Sequence, residues 1–336
     1  MFGLGQGYLF KQVYSDDTLT EAWRKVRAGT RLAGVDGVTV EHFQARLFAN
    51  LKTLQNDLRQ RRYTPQPVKR LTIPKPDGTT RPLGILTVRD RIVQRAVLLV
   101  IDPVFEVGFE ECSHGFRKGR STHTALTQVS RLINLGYGWL IDFDIASCFA
   151  MINTVLLCKF IKEHLKNEEL RRLIQAWLEV EAAAVERPGL RRKRETRGIL
   201  QGGILSPLLA NIYLDRFDKA ALQRGLKLVR YADDGVVCCR SQQEAQATLK
   251  VIEKLLAKLD LTINPRKTAI QHVEKGFEYL GERLLLKHKG DGEDVVVLQP
   301  AQTITPRTAV PLQRRLQPAP MADQTYRNED VWEPST

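Results

Sequence analysis

The stretch "VRYADDGVVCC", residues 229–239, decides the reading of this chain. Valine, tyrosine and cysteine on either side of an Asp-Gly step predict a β-hairpin, with Asp233 and Asp234 at its tip. Adjacent carboxylates between two apolar runs repel each other unless a positive group sits beside them. For an isolated hairpin, Asp-Gly is ordinary turn chemistry and Asp233 a solvated neighbour. The rest of the chain has to decide between these readings.

The chain has 336 residues, enough on length alone for about two domains. With 43% hydrophobic and 26% charged residues, its composition is that of an ordinary globular protein. Fifty-one Lys plus Arg against 38 Asp plus Glu leave a formal net charge of +13, which points to a polyanionic partner, most simply nucleic acid. An anionic membrane surface would call for a basic amphipathic helix or a lipidation signal, and neither is evident. The longest apolar run, 96–101, is too short to span a bilayer. The first residues, "MFGLGQGYLFKQ", carry no export signal, and their glycines lack the preceding strand of a nucleotide-binding fingerprint. Five cysteines without a C-x-x-C pair suit reduced thiols, and hence a cytoplasmic location. His114 and His123 have no partners at zinc-ligand spacing and read as structural or RNA-facing residues.

Working outward, apolar spacing predicts helices over 19–27 and 40–62, then a hairpin over 68–85 with a Pro-Asp-Gly turn. A helix follows from 88 and is expected to end near Pro103. In "WLIDFDIASCF", residues 139–149, alternation puts Asp142 and Asp144 on one face of a strand, with Ile141, Phe143 and Ile145 on the other. Helices fill 154–185. The arginine-rich run "RPGLRRKRETRG", 187–198, reads as a solvated loop or a phosphate-contacting hairpin. Ser206 and Pro207 open an amphipathic helix that reaches Leu222. Six of fifteen prolines (300, 306, 311, 318, 320 and 334) lie in the last stretch, so 288–336 reads as largely irregular.

Two acid sites stand out: Asp144 at the end of one strand, and the Asp233–Asp234 tip. If neighbouring strands bring them together, three carboxylates converge, and like charges at that spacing require cations. Two Mg²⁺ ions about 3.5–4 Å apart would meet that need and supply the machinery of in-line phosphoryl transfer. A triphosphate would also need cationic groups. Lys75 and Arg81 on the first hairpin offer a point charge and a bidentate fork.

Taken in order, "IPKPDGTTRPLGI", "VRDRIVQRAV", "SHGFRKGRSTHTAL", "DFDIASCF", "RGILQGGILSPLLANIYLDRFD", "VRYADD", "LTINPRKT" and "GFEYLGERL" resemble the sequence blocks of bacterial group II intron-type reverse transcriptases. The resemblance covers roughly residues 20–285. It implies an α+β right-hand polymerase with fingers and palm and an antiparallel palm sheet with packed helices; the thumb that intron-encoded relatives carry is expected to be absent from this chain. By this resemblance, residues 1–18 are a flexible N-terminus, 19–135 mainly fingers, 136–285 mainly palm with part of the fingers, and 286–336 an irregular proline-rich tail or linker. Asp144, Asp233 and Asp234 are then the catalytic acids and the ligands of two Mg²⁺ ions, with Mn²⁺ as a substitute. Phe149 blocks the 2′-hydroxyl of an incoming nucleotide, a role compatible with its also being a core residue. Lys75 and Arg81 hold the triphosphate, and Gln201 and Gly202 position the template base and nucleotide. Lys267 stands where a lysine acts as general acid near the pyrophosphate; a solvated lysine after a turn is the plain alternative. Gly281 matches the primer-grip turn. Arg117, Arg120, Arg191, Arg192 and Arg194 are expected on the nucleic acid.

The sequence also departs from that pattern. Ala150 follows Phe149 where the family usually carries Asp, "INT" at 152–154 replaces a nearby His, and Leu86 and Leu200 stand where proline is common. The chain stops soon after the primer-grip block, as in short free-standing relatives found beside CRISPR adaptation genes. The implied partners are an RNA template, a nucleic-acid primer and dNTPs, with a CRISPR integrase or another protein supplying the thumb function, and no membrane. The implied activity is RNA-directed DNA polymerisation, with spacer acquisition from RNA as one biological setting. The alternative from another class is a non-catalytic, maturase-like RNA-binding splicing cofactor.

Overall fold

A computed structural model describes residues 6–74, 80–185, 197–288 and 294–300. Helix α1 (Gln6–Val13) and helix α2 (Asp16–Arg27) open the chain, and Ser15 caps α2 by accepting a hydrogen bond from Thr18 N. Sequence reading expected a flexible end over 1–18. The helices form because Phe10, Val13, Leu19, Trp23 and Val26 are buried in one stripe against the main core. Helix α3 (Val40–Gln44) and helix α4 (Leu47–Arg59) replace the single helix expected over 40–62. The break at Arg46 is stitched by Asn50 Nδ2, which donates to the Phe43 carbonyl at 2.9 Å.

Strands β1 (Lys69–Pro74) and β2 (Thr80–Ile85) pair antiparallel from Lys69↔Ile85 to Pro74↔Thr80. Helix α5 (Val88–Glu106), capped by Thr87, continues through Pro103 instead of ending there. A proline so near the last turn forfeits little of the hydrogen-bond ladder, and buried Ile101 and Phe105 hold the helix on either side of it.

Helix α6 (Thr122–Asn134) precedes the central strand β3 (Trp139–Asp144). Short α7 (Cys148–Met151), α8 (Thr154–His164), α9 (Glu168–Val185) and the long buried α10 (Ser206–Leu222) lead to β4 (Lys227–Tyr231) and β5 (Asp234–Cys239). Helix α11 (Gln242–Ala257) returns the chain to β6 (Ala269–His272). The result is an antiparallel sheet in the order β4-β5-β3-β6. Its two faces bury different sets, as the period of two requires. Ile141, Phe143, Val237 and Cys239 join the main core, where Phe143 meets Phe217 of α10 edge-on, 6.0 Å between ring centroids. Leu140, Val236 and Cys238 face a second core built with α6 residues Ala125, Leu126, Val129 and Ile133.

Strands β7 (Phe277–Tyr279), β8 (Glu282–His288) and β9 (Asp294–Pro300) form a three-stranded antiparallel sheet on that second core. Strand β9 corrects the expectation that everything after 286 is irregular. Its "DVVVLQP" is a continuous run of strand-favouring apolar residues, and the period of two puts Val296 and Leu298 on the face that packs with Leu284 and Leu286 of β8. The rest of the expected tail, 301–336, lies outside the described residues.

Candidate active site

The end of β3 carries the site. Asp144 is the last residue of the strand and lies opposite Asp234, the first of β5, so both side chains share a face with Asp142. One residue on, Ile145 N donates to the Asp233 carbonyl at 3.1 Å, which places the Ala232–Asp233 turn beside the strand end. Asp142 and Asp144 are 6% and 7% exposed. The expected hairpin forms, but its turn is Ala232–Asp233 and not the Asp-Gly step: Asp234 and Gly235 already pair with Tyr231 and Arg230 in the ladder.

The other side of Asp144 is clamped by residues 262–267. Ala146 N donates to the Thr262 carbonyl at 2.9 Å, and Asn264 N donates to the Asp144 carbonyl at 2.8 Å. Asn264 also caps the short 3₁₀ turn of Pro265–Lys267 by accepting from Arg266 N. That turn aims Lys267 at the site, where its Nζ meets Asp144 Oδ2 at 2.8 Å. The lysine thus supplies positive charge directly to the first acid. Among the described residues, no three His, Cys, Asp or Glu side chains form a ready metal cage. Asp144 closes β3, Asp233 sits in the adjoining turn and Asp234 opens β5, so the three acids are gathered at one end of this strand pair.

Beneath the turn lies a charge that sequence reasoning passed over. Arg230, 1% exposed, donates to both Asp218 oxygens at 2.8 and 2.5 Å, to Asn211 Oδ1 at 3.2 Å and to Ser113 Oγ at 2.8 Å. It also donates to the Ala232 carbonyl at 2.8 Å, and so holds the turn itself. Despite full burial, its guanidinium pKa is raised by Asp218, which outweighs desolvation, itself the largest single influence. The available signal was an arginine inside the apolar run "LVRYA". The segment before α6 joins this network: Ser113 bridges Arg230 in parallel, and Arg230 N donates to the Cys112 carbonyl at 2.7 Å. Burial, with Asp233 next in importance, pushes the neighbouring Cys148 thiol well above its usual range. Burial, followed by Asp234 and Asp142, likewise raises the Tyr279 phenol, whose hydroxyl lies 3.4 Å from the Asp234 carbonyl.

Phe149 sits half-buried on α7 against the main core, and its carbonyl accepts from Ile199 N at 2.8 Å. From there the chain runs to Gln201, whose carbonyl accepts from Gly84 N of β2 at 2.9 Å. Residues 199–201 therefore tie the first hairpin to α7, the short helix that follows β3. The Gln201 side-chain oxygen is buried with no hydrogen-bond partner among the described residues. Gly202 has φ +101°, and an added Cβ would lie 2.7 Å from Leu83 Cδ1 and 2.9 Å from the Gly84 carbonyl. Gly281 (φ 88°) and Leu280 (φ 52°) are the two residues between β7 and β8, the positive-φ pair that a type I′ turn demands.

The expected phosphate and nucleic-acid contacts are less uniform. Lys75 and Arg191, Arg192 and Arg194 lie outside the described residues. Arg81 is placed on β2 opposite Ile73, with its side chain also outside them. Arg117 is a correction: only 5% of its side chain is exposed, because it pairs with Glu106 at 2.8 Å and donates to the Glu110 and Ser113 carbonyls. It braces the loop instead of facing a ligand. Arg120 is half-exposed, with one contact to the Glu111 carbonyl at 3.3 Å.

Comparison with known proteins agrees with this architecture. The family model described as "Reverse transcriptase (RNA-dependent DNA polymerase)" matches residues 73–284. Protein YkfC of Escherichia coli (strain K12) is 34% identical over 330 residues, covering 86% of this chain and 86% of its own length. The group II intron-encoded protein LtrA of Lactococcus lactis subsp. cremoris is 37% identical over 211 residues, 62% of this chain but only 34% of LtrA. The structure of Candida albicans telomerase in complex with a TWJ fragment of telomeric RNA overlaps with TM-score 0.52 at 12% identity, over 80% of this chain and 51% of that one, a likeness of fold alone. The chain belongs to the reverse transcriptase (RNA-dependent DNA polymerase) family.

Proposed function

We propose that this chain is a working RNA-directed DNA polymerase, which extends a primer 3′-hydroxyl with dNTPs on an RNA template. The observation that carries the reading is the strand register placing Asp144 opposite Asp234 and beside the Asp233 turn. Asp144 and Asp233, with Asp234 as the third acid, are the residues to hold two Mg²⁺ ions, or Mn²⁺ in their place. When bound, the ions would make the attacking hydroxyl more acidic and neutralise charge on the departing pyrophosphate. The chain's own residues do the rest. Arg230 and Asn264 fix the backbone on either side of the acids. Phe149 closes the space a 2′-hydroxyl would need, Lys75 and Arg81 hold the triphosphate, and Gly202 lets backbone approach the nucleotide. Lys267, released from Asp144, is placed to give a proton to the leaving group.

The same Lys267–Asp144 contact favours a second reading, in which Asp144 stays paired with its lysine and the chain only binds RNA. Primer extension on an RNA template with Mg²⁺, comparing dNTPs with NTPs, separates the two. Extension with dNTPs supports the polymerase. Tight template–primer binding with no extension, even with co-purified partner proteins added, supports the binding protein.

A further inference from the structure

Phe116 is held in a backbone conformation that its residue type disfavours. Its φ is 61°, and it is the only aromatic among the described non-glycine residues with positive φ. Asparagine and aspartate offset the cost of this region with local hydrogen bonds, whereas phenylalanine has no such compensation. Nor does burial explain it, because Phe116 is 37% exposed and joins neither hydrophobic core.

The neighbours on each side fix the strain in place. An ideal Cβ on Gly115 would lie 2.3 Å from the backbone nitrogen of Ala232, so this residue is pressed against the turn that carries Asp233. The Gly115 carbonyl also accepts from Asn211 Nδ2 at 2.8 Å. On the other side, Arg117 is locked to Glu106 and to the Glu110 and Ser113 carbonyls. With 115 and 117 anchored, 116 is forced outward, next to the candidate active site. Strain that the surroundings over-determine, on an exposed apolar side chain, marks a functional position. Lys118 is exposed and Arg120 half-exposed on the same loop. A ring with basic neighbours is the pairing that proteins use to bind nucleic-acid strands, the ring stacking on a base while the cations track the phosphates.

We propose that Phe116 is a stacking platform for a nucleobase of the bound template–primer. The proposal rests on the nucleic-acid-binding reading above and adds a specific contact to it. The test is fluorescence anisotropy of the full chain with a labelled primer on an RNA template, alongside thermal unfolding, for wild type, Phe116→Gly and Phe116→Tyr. Phe116→Gly should bind about tenfold more weakly, the loss expected for one stacked base. Its melting temperature should be equal or higher, because glycine adopts this φ freely. Phe116→Tyr should bind as wild type does.

Substrates with an unpaired template overhang, blunt duplexes and free dNTP as competitor identify which base is stacked. A defect on overhang substrates alone assigns an unpaired template base, a defect on both duplexes assigns the terminal pair, and a defect seen only in dNTP competition overturns the strand assignment. Unchanged affinity in Phe116→Gly overturns the proposal, and so does a fall in melting temperature that accompanies the fall in affinity, since that would make Phe116 a packing residue. A wild-type chain that binds no template–primer overturns the polymerase reading as well, which distinguishes the two failures.

Discussion

Arg230 carries its charge into an interior where both it and Asp218 have side chains 1% exposed. Breaking a buried pair leaves one charge without compensation, so Arg230→Met should lower stability by about 3–5 kcal/mol in urea unfolding. Replacing Asp218 with leucine as well removes the stranded charge, and the double variant should recover much of that loss. It should not recover primer extension, because the hydrogen bond to the Ala232 carbonyl is still missing. Full recovery of extension would mean that the network serves stability alone. Phe149 makes a different prediction. Phe149→Ala should weaken discrimination against ribonucleotides by about tenfold or more in single-nucleotide incorporation, and unchanged selectivity would assign the ring to packing only. The acids at the hairpin tip were legible because "YADD" interrupts two apolar runs. Arg230 was visible too, but one charged residue in a strand does not name its partner. Asp218 is twelve positions away on a helix, and only the packed fold brings the two together.

At the scale of elements, residues 199–202 tie the first hairpin to α7 through the Ile199–Phe149 and Gly84–Gln201 hydrogen bonds. Gly202→Ala would require a Cβ at strained φ and within 2.9 Å of a backbone oxygen. It should cost about 1–3 kcal/mol of stability and raise the KM for dNTPs, since β1–β2 would be displaced from the site. A wild-type KM in a stable Gly202→Ala variant would contradict that coupling. The main strands and helices were legible from their periodicity, and β3 with its two faces most clearly. The failures share one cause: in α1, glycines obscured a short apolar stripe completed by partners elsewhere in the chain, and in β9, neighbouring prolines obscured a short run of consecutive valines. Tertiary packing decided both. Arg117 failed differently, because a basic residue in a basic loop gives no sign that Glu106 will claim it.

The whole molecule carries a formal charge of +13, which fits a strand-binding protein. Replacing Arg191, Arg192 and Arg194 with glutamine should weaken template–primer binding uniformly across sequences. The slope of log affinity against log salt should become shallower by about one for each phosphate that is no longer neutralised. An unchanged slope would leave that run as a solvated loop. No helix among the described residues is long and apolar enough to cross a membrane. The central claim is that the clustered carboxylates do chemistry. The measurement that tests it most directly is single-turnover primer extension by wild type and Asp233→Asn on an RNA template with Mg²⁺ and dNTPs, with template–primer affinity recorded on the same samples. The account predicts extension by wild type, its loss in Asp233→Asn, and affinity that stays within a fewfold. Equal extension by both proteins, or binding without extension by either, would contradict it.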